Sequence, residues 1–238
     1  MRRALALLVA CLVATAAAGT QNPTKIAITP GSPDAAILML VPILAAPYSI
    51  GFAPYDPVTR ALGASKVGGR YDVETPARPK SASPAEAPEV YYAMVSVLPG
   101  TYVVRDLSQQ QRWSACYGRG TVSFSVAPGQ IVYLGLIDTG RMIAQLQAVV
   151  LAKPGDERLI GYEQRTYFEG FGPPAFRDTG DAAALAASAA WVKTRSPGTN
   201  VMPVAASFSP VKFGTGTDLF GIEKVCTGGH RRDPRDAN

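Results

Sequence analysis

Residues that commonly carry out catalysis are scarce in this 238-residue chain, and their scarcity limits the reactions that it can catalyse. The only histidine is His230, within the sequence GGHRRD near the C-terminus. A Ser-His or Cys-His catalytic set would depend on that residue alone, and a zinc site with several histidine ligands is excluded. Ser209 and Lys212 have the S-x-x-K spacing of penicillin-binding enzymes, but Pro210 disfavours the required helix start and no S-D-N or K-T-G motif accompanies them. We therefore predict no catalytic residue, no cofactor and no metal site.

Carboxylates are the remaining candidates for catalysis. Asp56, Asp72, Glu163 and Glu169 would serve a hydrolase if the fold brought them into one cleft, which their spacing does not show. The glycine-rich sequence FGTGTDLFG, residues 213–221, lacks the lysine and the following helix of a phosphate loop, which favours a turn and a strand. A carboxylate-dependent hydrolase of the cell envelope is thus kept as an alternative function.

Tyrosines on or beside the predicted strands form a candidate binding surface for a peptide or a carbohydrate. Their rings alternatively pack in the core while their hydroxyls reach its rim. The five residues are Tyr91, Tyr92, Tyr102, Tyr117 and Tyr133.

The N-terminal sequence MRRALALLVACLVATAAAGTQ has the pattern of a secretory signal peptide. Arg2 and Arg3 precede a short apolar core, and the small residues Ala16 to Ala18 predict cleavage before Gly19. We therefore assign residues 1–18 to a signal peptide and expect a periplasmic or secreted protein. An apolar core of this length is too short to span a bilayer, which takes about 20 residues.

The sequence LVAC, which ends at Cys11, resembles the lipobox of bacterial lipoproteins. The residues that follow Cys11 are apolar, whereas a lipoprotein usually becomes polar there. A contact with the membrane is expected only if Cys11 is acylated, which would make the protein an outer-membrane lipoprotein.

Two cysteines remain after cleavage, and an even number in an oxidising compartment predicts a Cys116–Cys226 disulfide. The alternative is two separate buried thiols. The net charge of +5 falls to +3 without Arg2 and Arg3, and the basic residues are scattered apart from one C-terminal cluster. This mild charge disfavours nucleic-acid binding.

Short apolar runs bounded by proline and glycine predict a mainly β fold. The run AAILMLVPIL indicates a strand buried on both faces, and YSIGFAPYD is predicted to be its hairpin partner. Pro99-Gly100 and Pro128-Gly129 each separate two strand patterns. We predict that each pair forms a hairpin turn with its glycine at positive φ. A further strand is predicted at residues 141–152.

One helix is predicted, from the N-cap Asp181 to Arg195, and Pro197-Gly198 ends it. Trp191 is interpreted as a packing side chain of this helix. The predicted fold is an antiparallel β-sandwich with one C-terminal α-helix, formed by residues 19–227 and followed by a flexible tail at 228–238.

The sequences LPGTYVV and CYGRGTVSFSVAPGQIVYLGLI resemble a family of exported bacterial proteins of uncharacterised function. In that family a PGTY strand precedes a strand pair with the pattern GT-x-x-F-x-V-x-PG-x-[IV]-x-YLG. The resemblance covers residues 35–150 and implies an exported β-sandwich, with no catalytic residue to transfer; many members look like lipoproteins. A looser similarity extends to transthyretin-like and carboxypeptidase-regulatory sandwiches. The matching residues are Pro99, Gly100, Thr101, Tyr102, Gly120, Thr121, Phe124, Val126, Pro128, Gly129, Tyr133, Leu134 and Gly135.

Together these observations predict an exported cell-envelope protein that is not an enzyme. We expect a binding or scaffolding module that contacts an envelope protein or glycan through a sheet face or edge. The alternatives are the carboxylate-dependent hydrolase and a lipid-anchored assembly factor.

Overall fold

A computed structural model describes residues 22–43, 48–63, 71–75, 90–109, 113–142, 166–169 and 172–214. The predicted signal peptide and C-terminal tail lie outside these residues. The elements are β1 (Ala35–Pro42), β2 (Ser49–Pro54), β3 (Tyr71–Glu74), β4 (Val90–Val97), β5 (Gly100–Gln109), β6 (Trp113–Cys116), β7 (Thr121–Val126), β8 (Ile131–Ile137), β9 (Thr166–Glu169), β10 (Phe176–Arg177), α1 (Ala182–Arg195), β11 (Pro203–Ala205) and β12 (Ser209–Val211).

The strands form two sheets, and the chain is mainly β with one long helix, as the sequence predicted. Sheet A has the order β4-β1-β8. On the other edge of β8, the beginning of the strand pairs with β11 and its end pairs with β10. Sheet B has the order β3-β2-β5, and the far edge of β5 pairs with β7 and with β6. Strand β12 then pairs with β7, and β9 with β6. Three pairings, β1 with β8, β8 with β11 and β6 with β9, are parallel, so both sheets are mixed.

Sheet A is buried on both faces, which confirms the prediction for β1. Because side chains alternate along a strand, Ile37 and Met39 enter the core between the two sheets, which we call the inner core. Ala36 and Leu38 point the opposite way, into an outer core beneath helix α1. The same alternation in the neighbouring strands divides their apolar residues between the two cores.

Helix α1 covers the outer face of sheet A. Asp181 caps it as predicted, since its Oδ1 accepts the amide N–H of Ala184 at 2.8 Å. Trp191 packs against the outer core, with its ring centroid 5.2 Å from that of Tyr92. After the helix, the Ser196 hydroxyl donates a hydrogen bond to the carbonyl of Ile26, which ties this end to the N-terminal segment.

The prediction that both Pro-Gly pairs form hairpins was wrong. Strand β4 lies in sheet A and β5 in sheet B, whereas β7 lies in sheet B and β8 in sheet A. Each Pro-Gly pair therefore carries the chain from one sheet to the other. Turns of types I and II do not match the twist of paired strands and splay them apart, which explains a corner in place of a hairpin.

Pro128-Gly129 forms a tight turn at this corner. The amide of Gln130 donates to the carbonyl of Ala127 at 3.2 Å, and Gly129 has the predicted positive φ of +66°. At the other corner Gly100 also has the predicted positive φ, at +156°. The hydroxyl of Tyr102 donates to the carbonyl of Leu98 at 2.6 Å and holds that corner, an arrangement that resembles the tyrosine corner of other sandwiches.

Two other strand predictions were also wrong. Strand β2, expected as a hairpin partner of β1, lies in sheet B between β3 and β5. Arg141 and Met142, the first two residues of the strand expected at 141–152, belong to a helical segment that begins at Thr139, and residues 143–152 lie outside the described residues. The N-cap of this segment is Asp138, whose Oδ1 accepts the amide N–H of Arg141 at 3.1 Å.

The two corner glycines differ in how they respond to a side chain. A Cβ on Gly129 would lie 2.6 Å from the Thr29 carbonyl oxygen and 2.8 Å from that of Pro30, whereas a Cβ on Gly100 would meet nothing closer than 3.9 Å. We expect Gly129→Ala to lower the free energy of unfolding by more than about 2 kcal/mol, because strain and positive φ act together. We expect Gly100→Ala to cost less, about 1–2 kcal/mol, because its positive φ disfavours a Cβ but no neighbouring atom crowds it. Urea unfolding of both variants checks the order, and equal losses would contradict it.

Candidate functional site

The candidate carboxylates do not form one cluster. Asp56 is exposed in the turn after β2, where its carboxylate accepts hydrogen bonds from the amides of Val58 and Thr59 and from the Thr59 hydroxyl. Asp72 lies on β3, opposite Gly51. Glu163 lies outside the described residues, as do His230 and Cys226. Glu169 is the last residue of β9.

Asp106 is the buried carboxylate that the sequence analysis missed. It pairs across the sheet with Gly51, and its Oδ1 and that of Asp72 both lie within 3.3 Å of the position that a Gly51 Cβ would take. The absence of a side chain at Gly51 thus makes room for the Asp106 carboxylate. Because Asp106 is an ordinary strand residue in the sequence VVRDLS, no motif marks it.

A β-bulge explains why Arg105 and Asp106 meet. Gly51 pairs with Asp106 and Phe52 with Val104, so Arg105 is an extra residue on β5. Arg105 Nε donates to Asp106 Oδ2 at 3.0 Å, and its Nη2 lies 2.9 Å from the same oxygen. The two side chains are 11% and 0% exposed. Removing either partner from such a buried pair typically costs about 3–5 kcal/mol, which indicates a role in stability.

The five candidate tyrosines do not form one surface. Tyr102 and Tyr117 are buried in the inner core, against which Tyr91 packs while partly exposed. Tyr133 is buried in the outer core, against which Tyr92 packs. The tyrosines therefore pack on opposite faces of sheet A, as the alternative interpretation of packed rings expected.

Tyr133 has a buried hydroxyl for which the structure provides no hydrogen-bond partner. Burial, together with the nearby Tyr92, Asp178 and Asp181, raises its pKa to about 12. All of these influences disfavour the anionic form of Tyr133, so a role as a base is excluded near neutral pH. Burial also raises the pKa of Tyr117 and Tyr102 well above that of a free phenol.

Ser209 and Lys212 do not form a catalytic pair. Ser209 begins β12, which pairs with β7, and no helix starts there. Phe213 is buried and its amide donates to the carbonyl of Gly118, so the first residue of the glycine-rich sequence packs on the sandwich. The rest of that sequence beyond Gly214 lies outside the described residues.

Of the exposed large apolar side chains in the described residues, the three with the highest exposure lie at one end of the sandwich. Val58, Leu98 and Met202 are 88%, 59% and 69% exposed. Leu98 follows β4, Met202 precedes β11, and the turn with Val58 follows β2; the register places all three at the end that contains both Pro-Gly corners. We call this the corner end. Leu98 and Met202 are three strand spacings apart, about 14 Å.

The loops of the corner end are held by hydrogen bonds. Asp56 accepts three bonds within the turn that carries Val58, and Tyr102 fixes the carbonyl of Leu98. Near Met202, the amide of Asn200 donates to the carbonyl of Ile28 at 3.1 Å. The exposed apolar side chains thus stand on ordered backbone.

Within the described ranges, no group of three His, Cys, Asp or Glu residues is arranged to hold a metal ion. Nor does any helix in this part of the chain have the length and apolar character needed to cross a membrane. The described residues thus define a mainly β fold with two sheets and one long helix. Comparison with protein-family models, curated proteins and solved structures gives no match for the chain.

Two tyrosine hydroxyls offer a matched test of burial against hydrogen bonding. Tyr133→Phe removes a hydroxyl without a partner, and we expect the free energy of unfolding to stay unchanged or rise by about 1 kcal/mol. Tyr102→Phe removes the bond to Leu98 and should lower it by about 1 kcal/mol. Urea unfolding of both variants measures these two changes in the free energy of unfolding. A loss in Tyr133→Phe as large as in Tyr102→Phe would show that the Tyr133 hydroxyl has a partner.

Proposed function

We propose that this protein is an exported, non-catalytic binding module of the cell envelope and that it binds through the corner end. The single observation that carries the proposal is the exposure of Val58, Leu98 and Met202 on three separate loops at one end of the sandwich. Exposed apolar side chains that occur singly need no explanation, but a group of them at one site is typical of an interaction surface.

Ordered loops favour binding because they lose little conformational freedom when a partner docks. The hydrogen bonds of Asp56 and of Tyr102 hold two of the three loops before any partner arrives. Loops at the end of a rigid sandwich commonly carry recognition, since the sheets fix their relative positions. This supports loop-based binding over the sheet-face binding that the sequence analysis favoured.

Both faces of sheet A and two of the edge strands are less suited to recognition. Sheet A is covered on both faces by the inner and outer cores. The short edge strands β11 and β12 contain Pro203 and Pro210, respectively. Proline in an edge strand opposes the addition of another strand. These features direct the proposal to the corner end.

Export is the second part of the proposal, and it rests on the N-terminal sequence pattern together with the two mature cysteines. Cys116 is buried at the end of β6, and a bond to Cys226 would close a loop of about 110 residues. Chain entropy alone predicts about 5 kcal/mol for a loop of that size, although native strain commonly reduces the gain.

To test binding at the corner end, a photo-crosslinking residue is placed at Ala127, which is exposed and adjoins Pro128 at one of the corners. In cells that make the full chain, we expect a discrete adduct with one envelope component. Combined replacement of Val58, Leu98 and Met202 by serine should lower the adduct yield about tenfold, equivalent to about 1.4 kcal/mol of binding.

The control is Val90→Ser, which removes an exposed valine at the opposite end of sheet A, where Val90 pairs with Pro42. It should leave the adduct unchanged. An adduct that persists in the triple variant, or that is lost equally in the control, would contradict the proposed surface.

For export, the mature chain should begin near Gly19 and carry no free thiol. N-terminal sequencing and thiol counting on unfolded, non-reduced protein from the periplasmic fraction check both expectations. An intact Met1 in the cytoplasm would overturn export, an acylated Cys11 would favour the lipoprotein, and two free thiols would refute the disulfide.

A further inference from the structure

Arg60 occupies an unusual backbone position in the turn that carries Val58. It has a φ of +58°, in the left-handed region, and its amide donates to the carbonyl of Asp56 at 2.8 Å. Its own carbonyl accepts the amide N–H of Gly214 at 3.1 Å. Both backbone groups are thus used to fix the turn, and the side chain is exposed.

Glycine or asparagine normally ends a turn of this kind, because a Cβ crowds the backbone when φ is positive. Neither backbone hydrogen bond of Arg60 requires an arginine, since every residue except proline has the same N–H and C=O groups. The conformation therefore disfavours the residue that the sequence places there. Residues kept in such conformations commonly serve a functional site.

The guanidinium of Arg60 has no ion pair within the part of the chain that the structure describes. The nearest acidic residue in sequence, Asp56, uses its carboxylate for the amides of Val58 and Thr59 and for the Thr59 hydroxyl. These bonds lower the pKa of Asp56 and hold its carboxylate within the turn. The cation of Arg60 is therefore available beside the most exposed apolar side chain of the corner end.

We propose that Arg60 binds a carboxylate of a protein partner whose apolar surface covers Val58, Leu98 and Met202. This inference rests on the proposed binding function and adds the chemistry of the partner. Arginine suits the task, because its planar guanidinium binds a carboxylate through two parallel hydrogen bonds.

A protein is favoured over an anionic membrane by the charges of the same end. Among the described residues, the exposed Asp34 and Asp56 balance Arg60 and the exposed Lys212, which lies two residues before Gly214. Attraction to an anionic bilayer depends on clusters of several basic residues. A cation on an apolar surface whose described charges balance instead suits an acidic side chain on an apolar partner surface.

The test measures the Ala127 adduct and the urea midpoint in Arg60→Gly. Glycine relieves the backbone conformation and removes the cation, so the urea midpoint should rise while the adduct yield falls about tenfold. Arg177→Ala is the control, because the Arg177 side chain is 61% exposed and lies on β10. It should leave the yield unchanged.

Three results would overturn the inference. An unchanged adduct yield in Arg60→Gly would show that Arg60 does not bind a carboxylate of the partner. The proposal that the partner binds at the corner end would still stand. A loss of yield together with a lower urea midpoint would show that Arg60 only supports the fold. Sedimentation with phosphatidylglycerol vesicles that depends on Arg60 would assign the anion to lipid and not to a protein.

Discussion

The burial of sheet A on both faces is the constraint on which the rest of the structure depends. Each apolar side chain removed from water contributes about 1.5–3 kcal/mol, and β1, β4 and β8 distribute theirs between two cores. The inner core requires a second sheet, and the outer core requires helix α1 and the segment at Ile26 and Ile28. The helix is therefore an integral part of the fold. Its many alanines allow a close approach to the sheet.

Two of the crossings between the sheets turn at compact corners. The chain passes from β4 to β5 at Pro99-Gly100 and from β7 to β8 at Pro128-Gly129. Gly129 is enclosed by the carbonyls of Thr29 and Pro30, so the N-terminal segment packs directly on its turn. The same arrangement gathers the loops of Val58, Leu98 and Met202 at one end. The proposed binding surface is thus a consequence of how the chain changes sheets.

Local chemistry was predictable from the sequence, whereas the pairing of strands was not. The burial of β1, the cap at Asp181 and the positive φ of Gly129 follow from short-range patterns, and the structure confirms them. The strand that follows a Pro-Gly turn depends on which sheet accepts it, which short-range patterns do not encode. The pairing of Arg105 with Asp106 depends on a bulge opposite Gly51, and periodicity carries no sign of it.

The polar groups of this molecule fall into two classes with different consequences. Arg105 and Asp106 form an ion pair in the interior, and the loss of either partner would leave a buried charge without that pairing. Arg60 is exposed beside apolar side chains, in a backbone conformation that its side chain does not favour. A cation in water gains nothing for the fold from such a position. The charged group that we propose for recognition is therefore exposed at the corner end. The buried charged groups instead stabilise the sandwich that positions the loops of that end.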